Sequence, residues 1–467
     1  MKAFLALSFL TLLFVEEALC SRIEQKLSLE LQQKLEAKVA SFPTLAPPEG
    51  SNNKRDGRVF YPIGYGADPN GTKDSSDAIL QALGDAFQLR SGMELLTGIK
   101  DFGGVIIDLQ GGNYKISKPI RFPYSGCGNI VVQGGTLRAS DTFPGDQHLI
   151  ELWSPNSTNS DNVQNAGFYY EDITFRDILF DSSYRGGGIS IIDSARIRIN
   201  SCFFLHFTTQ GIIVQRGHET FISSCFLGQH STVGGDKNEK YFSGTAIDLA
   251  SNDNAVTDVA IFSAAIGIVL RGQANILNGV HCYNKATFFG GIGILVKLAG
   301  NSQTRIVNCY LDYNSIVMED PVQVHVTNGF FLGGANVVLK SIKGKISGLN
   351  IVDNMFSGQA HNMVPIIKLD GQFSDIDQVV IDRNNVNGMS LKSTVGKLNV
   401  AGHGTKWVAD FSSMLVFPNR INHCLYSFNT HGEPKFTAHA VTNVTNNVVI
   451  VESEKLVNGV VSMVVDQ

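Results

Sequence analysis

The sequence predicts an all-β protein: a right-handed, single-stranded parallel β-helix with an N-terminal capping helix and a β-rich C-terminal segment. Three observations point there. First, one segment recurs between Ile189 and Asn362, as ISIID (189–193), GIIVQ (211–215), TAIDL (245–249), GIVLR (267–271), GILVK (293–297), SIVME (315–319) and NVVLK (336–340). Its starts are 22, 34, 22, 26, 22 and 21 residues apart, and repeats of this length mean one supersecondary unit stacked many times. Second, a further strand-like segment trails each one, such as INSCFF (199–204), ISSCFL (222–227) and IVNCYL (306–311). These pieces are short, β-branched and bounded by Gly, Asn, Ser and Asp, and no helical period runs through them. Third, aligned repeats give columns of constant character.

Ile212, Ala246, Ile268, Ile294, Ile316 and Val337 form one column, and Val214, Leu270, Val296, Met318 and Leu339 another. Alternation along a strand places both inside. The intervening position is apolar too (Ile191, Ile213, Ile247, Val269, Leu295, Val317, Val338), so that outward column needs a cover or a ligand. The fifth position is mostly polar: Asp193, Gln215, Arg271, Lys297, Glu319 and Lys340. Asn200, Ser223, Thr257, Asn278, Asn308 and Asn328 fall together. They read either as a ladder bonded from rung to rung or as ordinary turn residues.

The 467 residues, 43% hydrophobic and 17% charged, suffice for a large core, and 47 glycines suit a turn-rich chain. A net charge of −5 with mixed signs gives no sign of a nucleic-acid surface, and no nucleic-acid partner is expected. Residues 1–20 read as a signal peptide: Lys2, an apolar run, then Ala18-Leu19-Cys20. Its removal leaves no membrane segment. Six cysteines remain: Cys127, Cys202, Cys225, Cys282, Cys309 and Cys424. Secretion permits disulfides. Cys202 and Cys225 share a column on successive rungs, which suits a disulfide or a buried thiol stack alike. No metal-site spacing occurs, and neither metal nor cofactor is expected. Asn70, Asn156 and Asn443 open N-glycosylation sequons. A monomer is expected.

Along the chain, residues 21–54 read as a charged amphipathic helix and linker, 55–400 as the capped β-helix, and 401–467 as alternating strands that cover the last coil. The stretch VFYPIGYGADPNGTKDSSDAILQALGDAF (59–87) gives strand, Gly-Ala-Asp loop and helix, with the N-cap at Asp74 or Ser75. Gly-Gly and short β coils follow. This order resembles the pectate-lyase-like "type 3" β-helix family, which includes pectinases and phage tailspikes. In that setting Asp68 and Asp74 are structural. RGGGISIIDSARIRINSCFFLHFTTQGIIVQRGHETFIS, CFLGQHS, SNDNAVTDVAIFSAAIGI, GVHCYNKAT and EDPVQV, spread over 185–324, with DFSSMLVFPNRINHCLYSF (410–428), resemble plant secreted polygalacturonases of the "quartet" type. The resemblance covers roughly 55–467. It implies a secreted glycoside hydrolase acting on homogalacturonan of the pollen mother-cell wall, and hence a role in microspore separation. A wall-polysaccharide binding protein without catalysis, or another polysaccharide-cleaving enzyme on the same fold, are the other readings.

Typical polygalacturonases carry Asn-Thr-Asp, Asp-Asp, Gly-His-Gly and Arg-Ile-Lys on neighbouring coils. This chain lacks the first two. Its Gly402-His403-Gly404 lies beyond the repeats, and Leu295-Val296-Lys297 is a weak echo of the last. Candidates therefore come from position. Glycoside hydrolysis needs one carboxyl group to protonate the leaving oxygen and another to activate water. Asp248, Asp253, Glu219 and Glu319 are the catalytic candidates, with Asp248 as the acid because burial in an apolar column raises a carboxyl pKa. Arg271 and Lys297 are expected to hold substrate carboxylates, and His218 and His281 to bind sugar groups. The long repeat carries an insertion, 228–244, with Asp236 and Glu239, expected to wall the groove.

Overall fold

The computed structural model describes residues 53–89, 93–123, 126–153, 168–228, 243–283, 289–432 and 436–467. The expected signal peptide, the charged helix, Asn156, Asp236 and Glu239 lie outside them.

The β-branched segments pair as predicted, parallel and one rung apart. The first strand of each coil stacks into sheet 1: His148–Leu152, Gly187–Ile192, Gln210–His218, Thr245–Asn252, Ile266–Leu270, Ile292–Val296, Ser315–Glu319, Asn336–Lys340 and Ile367–Asp370. We number these rungs 1 to 9. Segments such as Arg198–Asn200 and Phe221–Ser223 build sheet 2, and Phe203–Leu205 and Phe226–Gly228 build sheet 3. Each coil thus has three short strands, and the coils form the right-handed parallel β-helix. The apolar core runs up its axis.

The register corrects two rungs of the sequence alignment. Ile247, not Ala246, pairs with Ile212, and Ile189 does so from the rung below. The slip arose because neighbouring residues in both segments are apolar, so alternation alone did not fix the frame. The deciding feature is a column of small residues. A Cβ on Gly188, Gly211 or Gly267 would fall 2.4, 2.7 and 2.4 Å from the carbonyl oxygen of Gly211, Ala246 and Gly293 on the next rung. Ala246 therefore belongs with these glycines. As a result Ile191 joins the inner column, and Asp248 faces outward between Ile213 and Val269.

The asparagine column also resolves into two features. Asn200, Ser223, Thr257 and Asn278 end sheet-2 strands. Asn308 and Asn328 belong one residue on, at the bend into sheet 3. There Ser201, Ser224, Asp258, Gly279, Asn308, Asn328, Asp353 and Arg383 all hold φ between 51° and 63°. Short polar residues and glycine tolerate that left-handed conformation best, which explains the composition. Some rung-to-rung bonds do form, as from Asn200 Nδ2 to Ser223 Oγ (2.8 Å) and from Asn308 Nδ2 to Asn278 Oδ1 (3.0 Å). A fully buried ladder stands elsewhere: Asn254 Oδ1 accepts from Thr220 N–H (2.9 Å), and Asn275 Oδ1 from Asn254 N–H (3.1 Å). Cys202, Cys225 and Cys309 follow the bend and point inward, and all six cysteines are free thiols.

The helix Ser76–Phe87 caps the first coil. It buries Ile79, Ala82, Leu83 and Ala86, and Phe87 packs 5.3 Å from Phe102. Ser75 is its N-cap residue but makes no side-chain cap; Asp74 instead accepts from Ser76 and Ser117. Asp68 folds the preceding loop around its carboxylate, which accepts from Asn70, Thr72 and Lys73. The Thr72 hydroxyl first, then the Lys73 N–H, lower its pKa from 3.8 to about 2. A depressed carboxylate stabilises the fold above its ordinary pKa and loses that contribution as pH falls towards about 2. An NMR titration of the Asp68 carboxyl should give a midpoint near that value; an ordinary one near ~3.9 would mean the loop is not formed.

After the last coil the chain turns antiparallel. Val395–Asp410, His423–Thr430, His439–Thr445 and Val448–Asp466 form one sheet with its own core around Trp407, Phe411, Val451, Val461 and Met463. The sheet begins at Val395, inside the stretch expected to belong to the coils. Gly402-His403-Gly404 lies on its longest pair of strands, away from the stack.

Candidate active site

Strand alternation turns Asp248 out of sheet 1 on rung 4. Its side chain is nevertheless only 11% exposed, because Ile213 and Val269 flank it and Arg271 lies over it. Arg271 comes from the next rung and donates from Nε to Oδ1 (2.8 Å) and from Nη2 to Oδ2 (2.7 Å). Lys297 follows one rung higher in the arginine's column, exposed and without an ion pair among the described residues. Glu319, on rung 7, pairs with Lys340 on rung 8 (3.1 Å). Three rungs separate it from Asp248, about 14 Å, beyond the span over which two carboxyl groups share one glycosidic bond. The structure therefore groups Asp248, Arg271 and Lys297 and leaves Glu319 apart.

The corner that follows sheet 1 supplies the rest. Asp172, Arg196, Glu219 and Asp253 occupy its bend on rungs 1 to 4, each with φ between 51° and 59°. The register sets His218 beside Asn252, so Glu219 and Asp253 are neighbours on successive rungs. His218 meets the Phe168 ring edge-on at 4.7 Å. Its Nδ1 lies 3.4 Å from a Glu219 oxygen, and Arg196 Nη1 lies 3.5 Å from the same oxygen. Glu219 itself is 40% exposed.

Several charged groups here are not among the candidates drawn from the sequence. Arg196 also pairs with Glu171, which is buried. Asp193, 1% exposed, accepts from Arg216 Nε (2.8 Å) and Nη2 (3.0 Å). The signal for these pairs was present: an acid followed by a cation one repeat later. Asp193–Arg216 and Asp248–Arg271 are each 23 residues apart, and Glu319–Lys340 are 21 apart.

His281 is not part of this group. It sits on the outer face of sheet 3, stacked on Tyr310 (5.2 Å, 16°), and burial lowers its pKa. Among the described residues no three His, Cys, Asp or Glu side chains converge as metal ligands would. Asn70 is exposed in the cap loop. Asn443 is exposed on a C-terminal strand, where its Oδ1 accepts from Thr445 Oγ1 (3.2 Å).

The arrangement offers carboxylates and cations side by side along one edge of a stack, which suits an extended anionic ligand. No protein-family model matches the chain. Among solved structures it is similar to ORF18 of Geobacillus virus E2, with a TM-score of 0.50 and 12% identity over 86% of this chain and 78% of that one. The Streptococcus pneumoniae surface protein and adhesin PfbA matches with a TM-score of 0.48 and 14% identity, over 72% and 92%. The first of these likenesses concerns the fold alone. Among curated proteins, Polygalacturonase QRT3 of Arabidopsis thaliana is 51% identical over 441 residues, 94% of this chain and 89% of that protein. With half of its residues identical over nearly its whole length, the chain belongs to the polygalacturonase family represented by that Arabidopsis protein.

Proposed function

We propose that the protein is a secreted polygalacturonase that hydrolyses α-1,4-linked galacturonan of pectin in the plant cell wall. The observation that carries this reading is the 51% identity to a polygalacturonase along 94% of the chain. The edge of sheet 1 supports it chemically. Both Asp248 oxygens accept from Arg271, so this group meets substrate as an acceptor and is assigned the base that activates water. That reverses the role expected from sequence, because the arginine that clamps the carboxylate comes from the next rung. Glu219 and Asp253 are neighbours at the corner, about 16 Å along the strand from Asp248, too far to share its glycosidic bond, and are assigned hydrogen bonding to the sugar chain there. Arg271 and Lys297 hold uronate carboxylates, and His218, braced on Phe168, faces sugar hydroxyls.

The N-terminal pattern supports secretion, and exposed Asn70 and Asn443 are the proposed glycan acceptors within the described residues. Action on the pollen mother-cell wall, with release of microspores, is the biological role we assign. The missing Asn-Thr-Asp and Asp-Asp pairs favour one other reading, a galacturonan-binding protein without catalysis.

Incubation of the purified protein with polygalacturonate separates these readings. Saturated reducing ends are expected. Unsaturated, ultraviolet-absorbing products would mean elimination, and retention on the polymer without products would mean binding alone. Lys297→Met should weaken binding to polygalacturonate, and more so at low salt, where the charge of a surface lysine is least screened. Equal affinities at low and high ionic strength would remove Lys297 from the site.

A further inference from the structure

Two of the ion pairs on this edge share one donor pattern, although Arg216 lies opposite Asp193 and Arg271 two residues beyond the position opposite Asp248. Asp193 takes Nε and Nη2 of Arg216, and Asp248 takes Nε and Nη2 of Arg271. In both, the arginine stands one rung above its carboxylate. In both, the carboxylate is the inner partner, 1% and 11% exposed, and the guanidinium the outer one, 27% and 38% exposed. Each pair therefore presents its positive end to solvent. Side-on pairing uses two of the five N–H donors and leaves the Nη1 end of the fork. Among the described residues no hydrogen bond or ion pair reaches the Nη1 end of either guanidinium. That end can take a second carboxylate in a two-point contact, and the buried aspartate fixes the fork in place before the ligand arrives. Arg196 differs, because Glu171 and Glu219 approach both of its terminal nitrogens.

We propose that Arg216, clamped by Asp193, is a second uronate-binding position below Arg271, so that the substrate is a polyuronate lying along the helix axis from rung 3 to rung 6. This rests on the galacturonan reading and adds to it a direction and a minimum length. Arg216 stands two rungs below Arg271 and one residue further along the strand, since Gln215 holds the column of Arg271 and Lys297, about 10 Å away, and Arg271 and Lys297 stand one rung apart, about 5 Å. A linear polyuronate carries a carboxylate on every sugar, so successive sugars meet this series of cations. A methyl-esterified chain offers the same shape without the charge, and the site should discriminate against it.

The test is the affinity of the immobilised full chain, at low temperature, for galacturonate dimer, galacturonate hexamer and methyl-esterified hexamer. Arg216→Gln should lower affinity for the free-acid hexamer about tenfold, as loss of a charge-assisted contact does. Affinity for the dimer, which Arg271 and Lys297 accommodate, should stay within twofold, as should that for the ester. Asp193→Asn combined with Arg216→Gln removes both charges of the pair and should show the same loss with a wild-type unfolding midpoint. Unchanged hexamer affinity in that double variant would reduce the pair to a structural one and overturn the proposal while the galacturonan reading stands. Failure of the wild type to bind the hexamer would overturn both.

Discussion

Asp248→Asn should lower turnover of polygalacturonate at least ~100-fold, the usual contribution of a positioned acid or base. The substitution keeps the shape of the side chain and removes an acceptor oxygen. It leaves Arg271, which is 38% exposed and can turn to solvent, so the loss should fall on rate rather than on folding. Glu219→Gln, at the corner about 16 Å away, should cost less than about tenfold, since it removes a sugar contact and no step of the reaction. Initial rates, with unfolding midpoints measured on the same preparations, check this. Wild-type turnover in Asp248→Asn would move the chemistry to other carboxylates, with Glu219 and Asp253 the next to replace.

Arg196→Ala should destabilise the fold by about 3–5 kcal/mol, the cost of leaving one member of a buried ion pair unpartnered. The reason is asymmetry. Arg196 is 39% exposed, but the Glu171 side chain it neutralises is 1% exposed and has no route to water. Its neighbour Arg198, paired with the more exposed Asp172, should cost under ~1 kcal/mol when replaced by alanine. Denaturant unfolding of both variants gives the comparison. Adding Glu171→Gln to Arg196→Ala should recover most of the loss, since it removes the stranded charge. Equal, small effects at Arg196 and Arg198 would contradict the burial argument.

The coil was legible because its period is written in residues that nothing else explains. A small residue before an apolar strand, Gly188, Gly211, Gly267 and Gly293 above all, fixes a strand and a close rung contact together. The frame of single rungs was less legible. In TAIDL both Ala246 and Ile247 are apolar, and only stacking on Gly211 shows which one starts the strand. That one-residue shift carried Asp248 from a puzzling place in an apolar column to the outer face, and its role from acid to base. The corner was hardest to read. Glu171, Arg196 and Glu219 come from three different rungs, so their meeting depends on coil geometry. His281 shows the converse. It has the residue type a sugar site wants, but its strand belongs to sheet 3, where it stacks on Tyr310.

The most direct test of the central claim is the fate of solvent oxygen. The wild-type protein is incubated with galacturonate oligomers in ¹⁸O-enriched water, and the fragments are weighed by mass spectrometry. Hydrolysis directed from the edge of sheet 1 predicts one heavy oxygen at each new reducing end, formed at least ~100-fold more slowly by Asp248→Asn. Fragments with unsaturated ends and no heavy oxygen, or labelled ends produced equally fast by the variant, would contradict it.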